Sequence, residues 1–126
     1  MLERYQEVLD RARALHMKGD IGQAIGLYDK CLVFHPDDHY VLFCLGTAMS
    51  QSGQFGMAIA FLKRVTELKP DLGDGWHNLA ISYRTMGLIE QATQCYQREL
   101  ALPGITQEQT ATVYGNWAGC YINEGL

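Results

Sequence analysis

The 126-residue sequence contains no apolar run close to the ~18 residues that cross a bilayer, so no membrane span is expected. It has no block of like charge. Ten basic residues stand against fourteen acidic ones, a formal net charge of −4. Nucleic-acid binding needs lysine and arginine to neutralise phosphates, and this balance argues against it; the even mixing of signs argues equally against a membrane-surface patch. The four cysteines, Cys31, Cys44, Cys95 and Cys120, form no CxxC pair and no short secreted framework, which points to buried free thiols in a reducing compartment. The N-terminal stretch MLERYQEVLDRARALH is charged from its third residue and lacks the apolar segment of a signal peptide. A cytoplasmic location is the expectation. No HExxH, no GxSxG and no phosphate-cradling glycine loop occurs, so neither an enzyme nor a cofactor site is expected.

What the sequence does contain is a period. Gly19, Gly53 and Gly87 lie 34 residues apart, each after an apolar periodic segment, where glycine suits the left-handed residue that ends a helix. Five residues beyond each stands an alanine, Ala24, Ala58 or Ala92. Four further comes a large side chain, Tyr28, Leu62 or Tyr96. Pro36 and Pro70 repeat the same interval. Ahead of each glycine, Trp76, Leu79, Ala80 and Tyr83 mark one face of a helix, with Leu42, Leu45, Gly46 and Met49 at the matching places one unit earlier. Val8, Arg11, Ala12 and Leu15 fill them in the first unit, Arg11 being the weak member. The small residues Ala12, Gly46 and Ala80 admit a closely approaching partner helix.

This pattern resembles the tetratricopeptide repeat (TPR) family, whose units read W-x2-L-G-x2-Y…A-x3-F…P. The third unit matches through Trp76, Leu79, Ala80, Tyr83, Ala92 and Tyr96, the second through Leu45, Gly46, Ala58 and Pro70, the first mainly through Ala24, Tyr28 and Pro36. The resemblance implies an all-α, right-handed α-solenoid of antiparallel helix pairs. It places repeats at about 5–38, 39–72 and 73–106, with a half repeat at 111–126, seven helices in all. Proline comes one place early in Leu102-Pro103-Gly104, and after about four extra residues the pattern resumes at Tyr114, Asn116-Trp117-Ala118, Tyr121 and Gly125 with a shift of 38.

The stretch Phe34-His35-Pro36-Asp37-Asp38-His39-Tyr40 carries two histidines and two aspartates, as a metal site would. Its counterpart one period later is Leu68-Lys69-Pro70-Asp71-Leu72-Gly73-Asp74, which keeps the proline and the aspartate but neither histidine. A turn accounts for both copies, with the aspartate after the proline capping the next helix, so no metal is expected. His16 stands alone near a helix end.

Family resemblance also implies a concave surface lined by the first helix of each unit. Aligned by period, its rows are Gln6, Tyr40, Asp74 and Thr112; Leu9, Phe43, His77 and Gly115; Asp10, Cys44, Asn78 and Asn116; and Arg13, Thr47, Ile81 and Gly119. Asn78 and Asn116 occupy the place where such arrays hold a ligand's backbone through a carboxamide, which both donates and accepts. Gly115 and Gly119 either make room for a ligand backbone or form a packing seam. The positions that would clamp a peptide's terminal carboxylate hold Leu9, Arg13, Cys44, Asp74 and Asn78; the lysines are absent, which disfavours a chaperone-tail receptor. Tyr40, Phe43 and His77 suit a peptide with apolar or aromatic anchors, and Arg13 and Arg84 suit an acidic side chain.

The expected function is therefore a protein-interaction module holding an extended peptide or partner helix. The alternatives are a substrate-recruiting arm of a larger enzyme, such as a TPR-bearing glycosyltransferase, and a self-assembling scaffold. Tyr114, Trp117, Ala118 and Tyr121 should face the second helix of a fourth unit that the sequence does not contain. This suggests a fragment of a longer repeat protein, self-association through Tyr114, Trp117 and Tyr121, or a last helix that rotates or folds back as a cap.

Overall fold

The computed structural model describes residues 4–123, and among them the regular structure is helical throughout. The helices are α1 (Tyr5–Lys18), α2 (Ile21–Phe34), α3 (His39–Gln51), α4 (Phe55–Leu68), α5 (Gly73–Thr85), α6 (Ile89–Leu100) and α7 (Gln107–Asn123). Within pairs, α1 packs on α2, α3 on α4 and α5 on α6; between pairs, α2 packs on α3, α4 on α5 and α6 on α7. The result is an all-α solenoid.

The three periodic glycines end the first helix of each pair for one reason. Gly19, Gly53 and Gly87 have φ of 98°, 83° and 78°, in the left-handed region that glycine enters without steric penalty. The residue after each then donates its N–H back into the helix end, Asp20 to Leu15, Gln54 to Met49 and Leu88 to Tyr83, at 2.8–2.9 Å. Carbonyls that would otherwise lack donors are satisfied and the chain reverses within two or three residues.

Packing follows the small-and-large pattern. Ala12, Ala24, Ala58, Ala80 and Ala92 are fully buried, as are Leu45, Leu62 and Tyr96. At Gly46 the helices approach so closely that a Cβ would sit 2.8 Å from Leu62 Cγ. Trp76 and Tyr83 are half-buried against the core, and the Trp76 indole N–H donates to the Pro70 carbonyl at 2.8 Å. Arg11 is exposed, as its weak fit to the apolar stripe implied. Cys31, Cys95 and Cys120 are buried free thiols, while Cys44 is partly buried.

The FHPDDHY stretch is a turn, but its cap is one residue later than expected. Helix α3 begins at His39, so the capping position is Asp38, whose carboxylate accepts from the Tyr40 and Val41 amides and from the Tyr5 hydroxyl at 2.6 Å. Asp37 instead pairs with Arg64 at 2.9 Å on the surface. In the second copy the capping position is Leu72, which has no side chain able to cap, and Asp71 does not replace it. Among the described residues no group of three or more His, Cys, Asp or Glu side chains is placed to hold a metal ion.

His16 does more than sit at a helix end. Its Nδ1 lies 3.0 Å from the Tyr28 hydroxyl and its Nε2 contacts the Gln51 amide oxygen, so it joins α1, α2 and α3. Among the described residues no helix is long and apolar enough to cross a membrane.

Candidate functional site

The first helices of successive pairs meet along one side. Arg13 of α1 lies over the Tyr40 ring of α3, with its guanidinium carbon 5.7 Å from the ring centroid. Asn78 of α5 donates from Nδ2 to the Thr47 hydroxyl of α3 at 3.3 Å. Arg84 of α5 donates to the Asn116 carbonyl of α7 at 3.2 Å. Apart from Arg84, the residues of these links belong to the expected inner rows, and together they join α1, α3, α5 and α7.

Each expected binding residue has a definite place on or near that side. Tyr40 is 40% exposed, Asp74 and Arg13 are exposed, and Phe43, His77, Asn78, Arg84 and Asn116 are half-buried. Phe43 packs its inner edge on the core. Leu9 departs from the expectation: it is only 6% exposed and belongs to the core, so it cannot line a binding surface.

The glycines of α7 differ from one another. A Cβ on Gly115 would meet nothing within 4 Å, so this position is open surface. A Cβ on Gly119 would stand 3.2 Å from the Arg84 guanidinium, so the space beside it is taken by Arg84 rather than by a packed helix backbone.

Cys44 lies between the hydroxyls of Tyr28 and Tyr40, and burial pushes its thiol pKa up despite those hydrogen bonds and nearby Arg13. Burial and nearby Glu99 push the Cys95 thiol up to about 11. Neither has the depressed pKa of a reactive thiol.

At one end of the inner surface lies a cleft of about 420 Å³ between α5, the end of α6, the α6–α7 connection and α7. It includes Asp74 and His77, both expected, and Asp71, Glu99 and Glu108, which the inner rows did not include. His77 Nδ1 is 3.6 Å from Glu99 Oε1. Burial raises the Glu99 pKa; His77 opposes that rise and Asp74 adds to it. Glu99 belongs to a second helix, so a search restricted to first helices passes over it. The early Pro103 and the lengthened connection were the available signals for this cleft.

On α7, Tyr114 is 55%, Tyr121 43% and Ile122 73% exposed. Trp117 is half-buried. Its ring stacks between Tyr96 and Tyr114, at 6.3 and 6.2 Å between centroids, and its indole N–H donates to the Thr93 hydroxyl at 3.0 Å.

Two family models described as tetratricopeptide repeat match residues 27–60 and 76–110. Human tetratricopeptide repeat protein 7A is 27% identical over 92 residues, covering 73% of this chain and 11% of that protein. Human general transcription factor 3C polypeptide 3 is 28% identical over 102 residues, covering 73% of this chain and 12% of that protein. The chain thus spans roughly a tenth of the length of these relatives. Among solved structures, the first TPR of Spaghetti (RPAP3), bound to the HSP90 peptide SRMEEVD, superposes with a TM-score of 0.84 at 14% identity, covering 97% of this chain and 94% of that one. At that identity the likeness is one of fold. With the two matched segments, the periodic glycines and the stacked helix pairs all in agreement, this chain belongs to the tetratricopeptide repeat family.

Proposed function

We propose that the chain is a protein-interaction module that holds an extended peptide or partner helix along the surface formed by α1, α3, α5 and α7. The observation that carries this reading is the continuous side-by-side linkage of those four helices through Arg13–Tyr40, Thr47–Asn78 and Arg84–Asn116. The units are taken as 5–38, 39–72 and 73–106, with a half unit from 111, so each contributes one helix to the surface. Arg13, Tyr40, Phe43, Asp74, His77, Asn78, Arg84 and Asn116 are the contact residues. Tyr40 and Phe43 offer aromatic area, and the Asn78 and Asn116 carboxamides offer paired donors and acceptors to a peptide backbone.

Peptide binding by the structural neighbour Spaghetti (RPAP3) supports the general mode. The inner rows of this chain carry no lysine, which disfavours a clamp on a peptide's terminal carboxylate, while Arg13 and Arg84 remain to meet an acidic side chain. The test is a peptide-library screen against the wild-type chain and against Asn78→Ala, Tyr40→Ala and Phe43→Ala, with thermal unfolding run beside it as a fold control. Selected peptides should lose affinity for the folded variants. If all three bind the same peptides as tightly as wild type, the contact assignment is wrong.

The exposed Tyr114, Tyr121 and Ile122 favour a second reading, self-association through α7 with Trp117 as the ring beneath them. Sedimentation velocity across a concentration series should show a dimer that Tyr114→Ser with Tyr121→Ser abolishes. A monomer at every concentration removes this reading and leaves the first untouched.

A further inference from the structure

We propose that α7 docks antiparallel on the α7 of a second copy of this chain, with Gly115 and Ala118 at the crossing. This rests on the self-association reading above and adds the geometry of the interface. Helix α7 has two apolar faces. On one, Val113 and Cys120 are buried beside the half-buried Trp117. The other holds Ala111, Tyr114, Gly115, Ala118, Tyr121 and Ile122, all exposed. At 3.6 residues per turn these six fall within about 120° of the helix circumference, the width of a core-facing stripe. The face is also uncharged, since Glu108 in the first turn is the one charged residue of α7. The exposed sides of α2, α4 and α6, by contrast, carry Asp29, Lys63 and Glu90. A helix apolar on opposite sides is an interior helix.

In each helix pair the matching face of the first helix is covered by the second. Ala12 and Ala80 are fully buried there, and Gly46 is buried against Leu62. Ala118 holds the same place in α7 and is exposed. A two-fold interface uses one patch twice, so the patch must complement itself. The outer face of α7 does so in one orientation. Small residues, Ala111 and Gly115, lie toward its start and large ones, Tyr121 and Ile122, toward its end. Tyr114 stands aside, its ring stacked on Trp117 at 6.2 Å. Antiparallel pairing sets Ala111 against the second copy's Ile122 and Gly115 against its Ala118. Parallel pairing sets Ile122 on Ile122 and leaves Ala111 facing Ala111 across a gap. Glycine is disfavoured inside a helix, and a Cβ on Gly115 would meet nothing within 4 Å, so packing within one chain does not require it. Close approach of a second backbone does. Because the face carries no charge, two copies meet without like-charge repulsion. Asn116, whose carbonyl accepts from Arg84, lies on the other side of α7, so pairing leaves the proposed peptide surface open in both copies.

The test uses the full 126-residue chain in sedimentation equilibrium with two sets of variants. Tyr114→Ser with Tyr121→Ser removes apolar area and should abolish the dimer whatever its geometry. Gly115→Leu adds apolar area and has open space in the single chain, so its circular dichroism should match wild type. It should nevertheless weaken the dimer roughly tenfold or more, because the crossing helices can no longer approach. Orientation is read by isotope-filtered NMR on a mixture of copies labelled at alanine methyls and copies labelled at isoleucine methyls. A cross-peak between Ala111 and Ile122 is expected. A dimer that tolerates Gly115→Leu, or one that lacks this cross-peak, would overturn the antiparallel crossing and leave self-association standing. A monomer at every concentration would overturn both.

Discussion

Gly46→Ala should destabilise the chain, although it replaces a poor helix former by the best one. In a helix interior the exchange gains ~1 kcal/mol from propensity. At Gly46, however, the new Cβ would stand 2.8 Å from Leu62 Cγ, 3.0 Å from Leu62 Cδ2 and 3.5 Å from the Ala58 carbonyl oxygen. Cγ is a branch point rather than a flexible tip, and Leu62 is fully buried, so it has no solvent to move into. Overpacking of this kind costs ~1–3 kcal/mol, which offsets the gain and leaves a net loss of up to about 2 kcal/mol. Gly26→Ala is the control. Gly26 is exposed within α2 and its Cβ would meet nothing within 4 Å, so the propensity gain of ~1 kcal/mol should appear undiminished. The two variants should therefore differ by the overpacking cost, ~1–3 kcal/mol, in urea unfolding followed by circular dichroism, with unchanged m-values. If Gly46→Ala proves as stable as Gly26→Ala, α3 and α4 do not approach as closely as described.

Asp38→Ala should cost ~1–2 kcal/mol through loss of the α3 cap and the Tyr5 hydrogen bond, whereas Asp71→Ala should stay within ~0.5 kcal/mol; denaturant midpoints separate them. Trp117→Phe keeps the ring stack but loses the bond to Thr93, and should lower stability by ~1 kcal/mol in the same assay. Burial holds the folded-state pKa of Glu99 above its unfolded value, with His77 lowering and Asp74 raising it. Its contribution to stability is thus complete below the unfolded carboxylate range and is lost as pH rises through the folded value. Glu99→Gln should accordingly match wild type near pH ~4 and become the more stable of the two towards pH ~7, as read by melting temperature. A constant difference across that span would show that Glu99 does not titrate in the expected direction.

Much of this architecture could be read directly from residue spacing. The interval shared by Gly19, Gly53 and Gly87 specified the left-handed helix ends, and the alanines and large side chains that follow them specified which faces meet. These features are local and repeated, so each copy supports the others. The cap on α3 was misplaced by one residue because two aspartates adjoin, and only the first turn of the helix decides which carboxylate faces the free amides. Alignment by period puts Leu9 on the inner surface, yet it is buried in the core. Of the carboxylate cleft only the early Pro103 and the lengthened connection were legible. The whole needs Glu99 from a second helix, Glu108 from α7 and a wall from the non-periodic connection, and no single repeat contains that combination.

The central claim is that the surface of first helices is where a partner lies, and hydrogen–deuterium exchange tests it most directly. With a library-selected peptide bound, amide protection should rise in α1, α3, α5 and α7 and leave α2 and α4 unchanged. Protection concentrated on α2 and α4, with the first helices exchanging as they do in the free chain, would contradict the account.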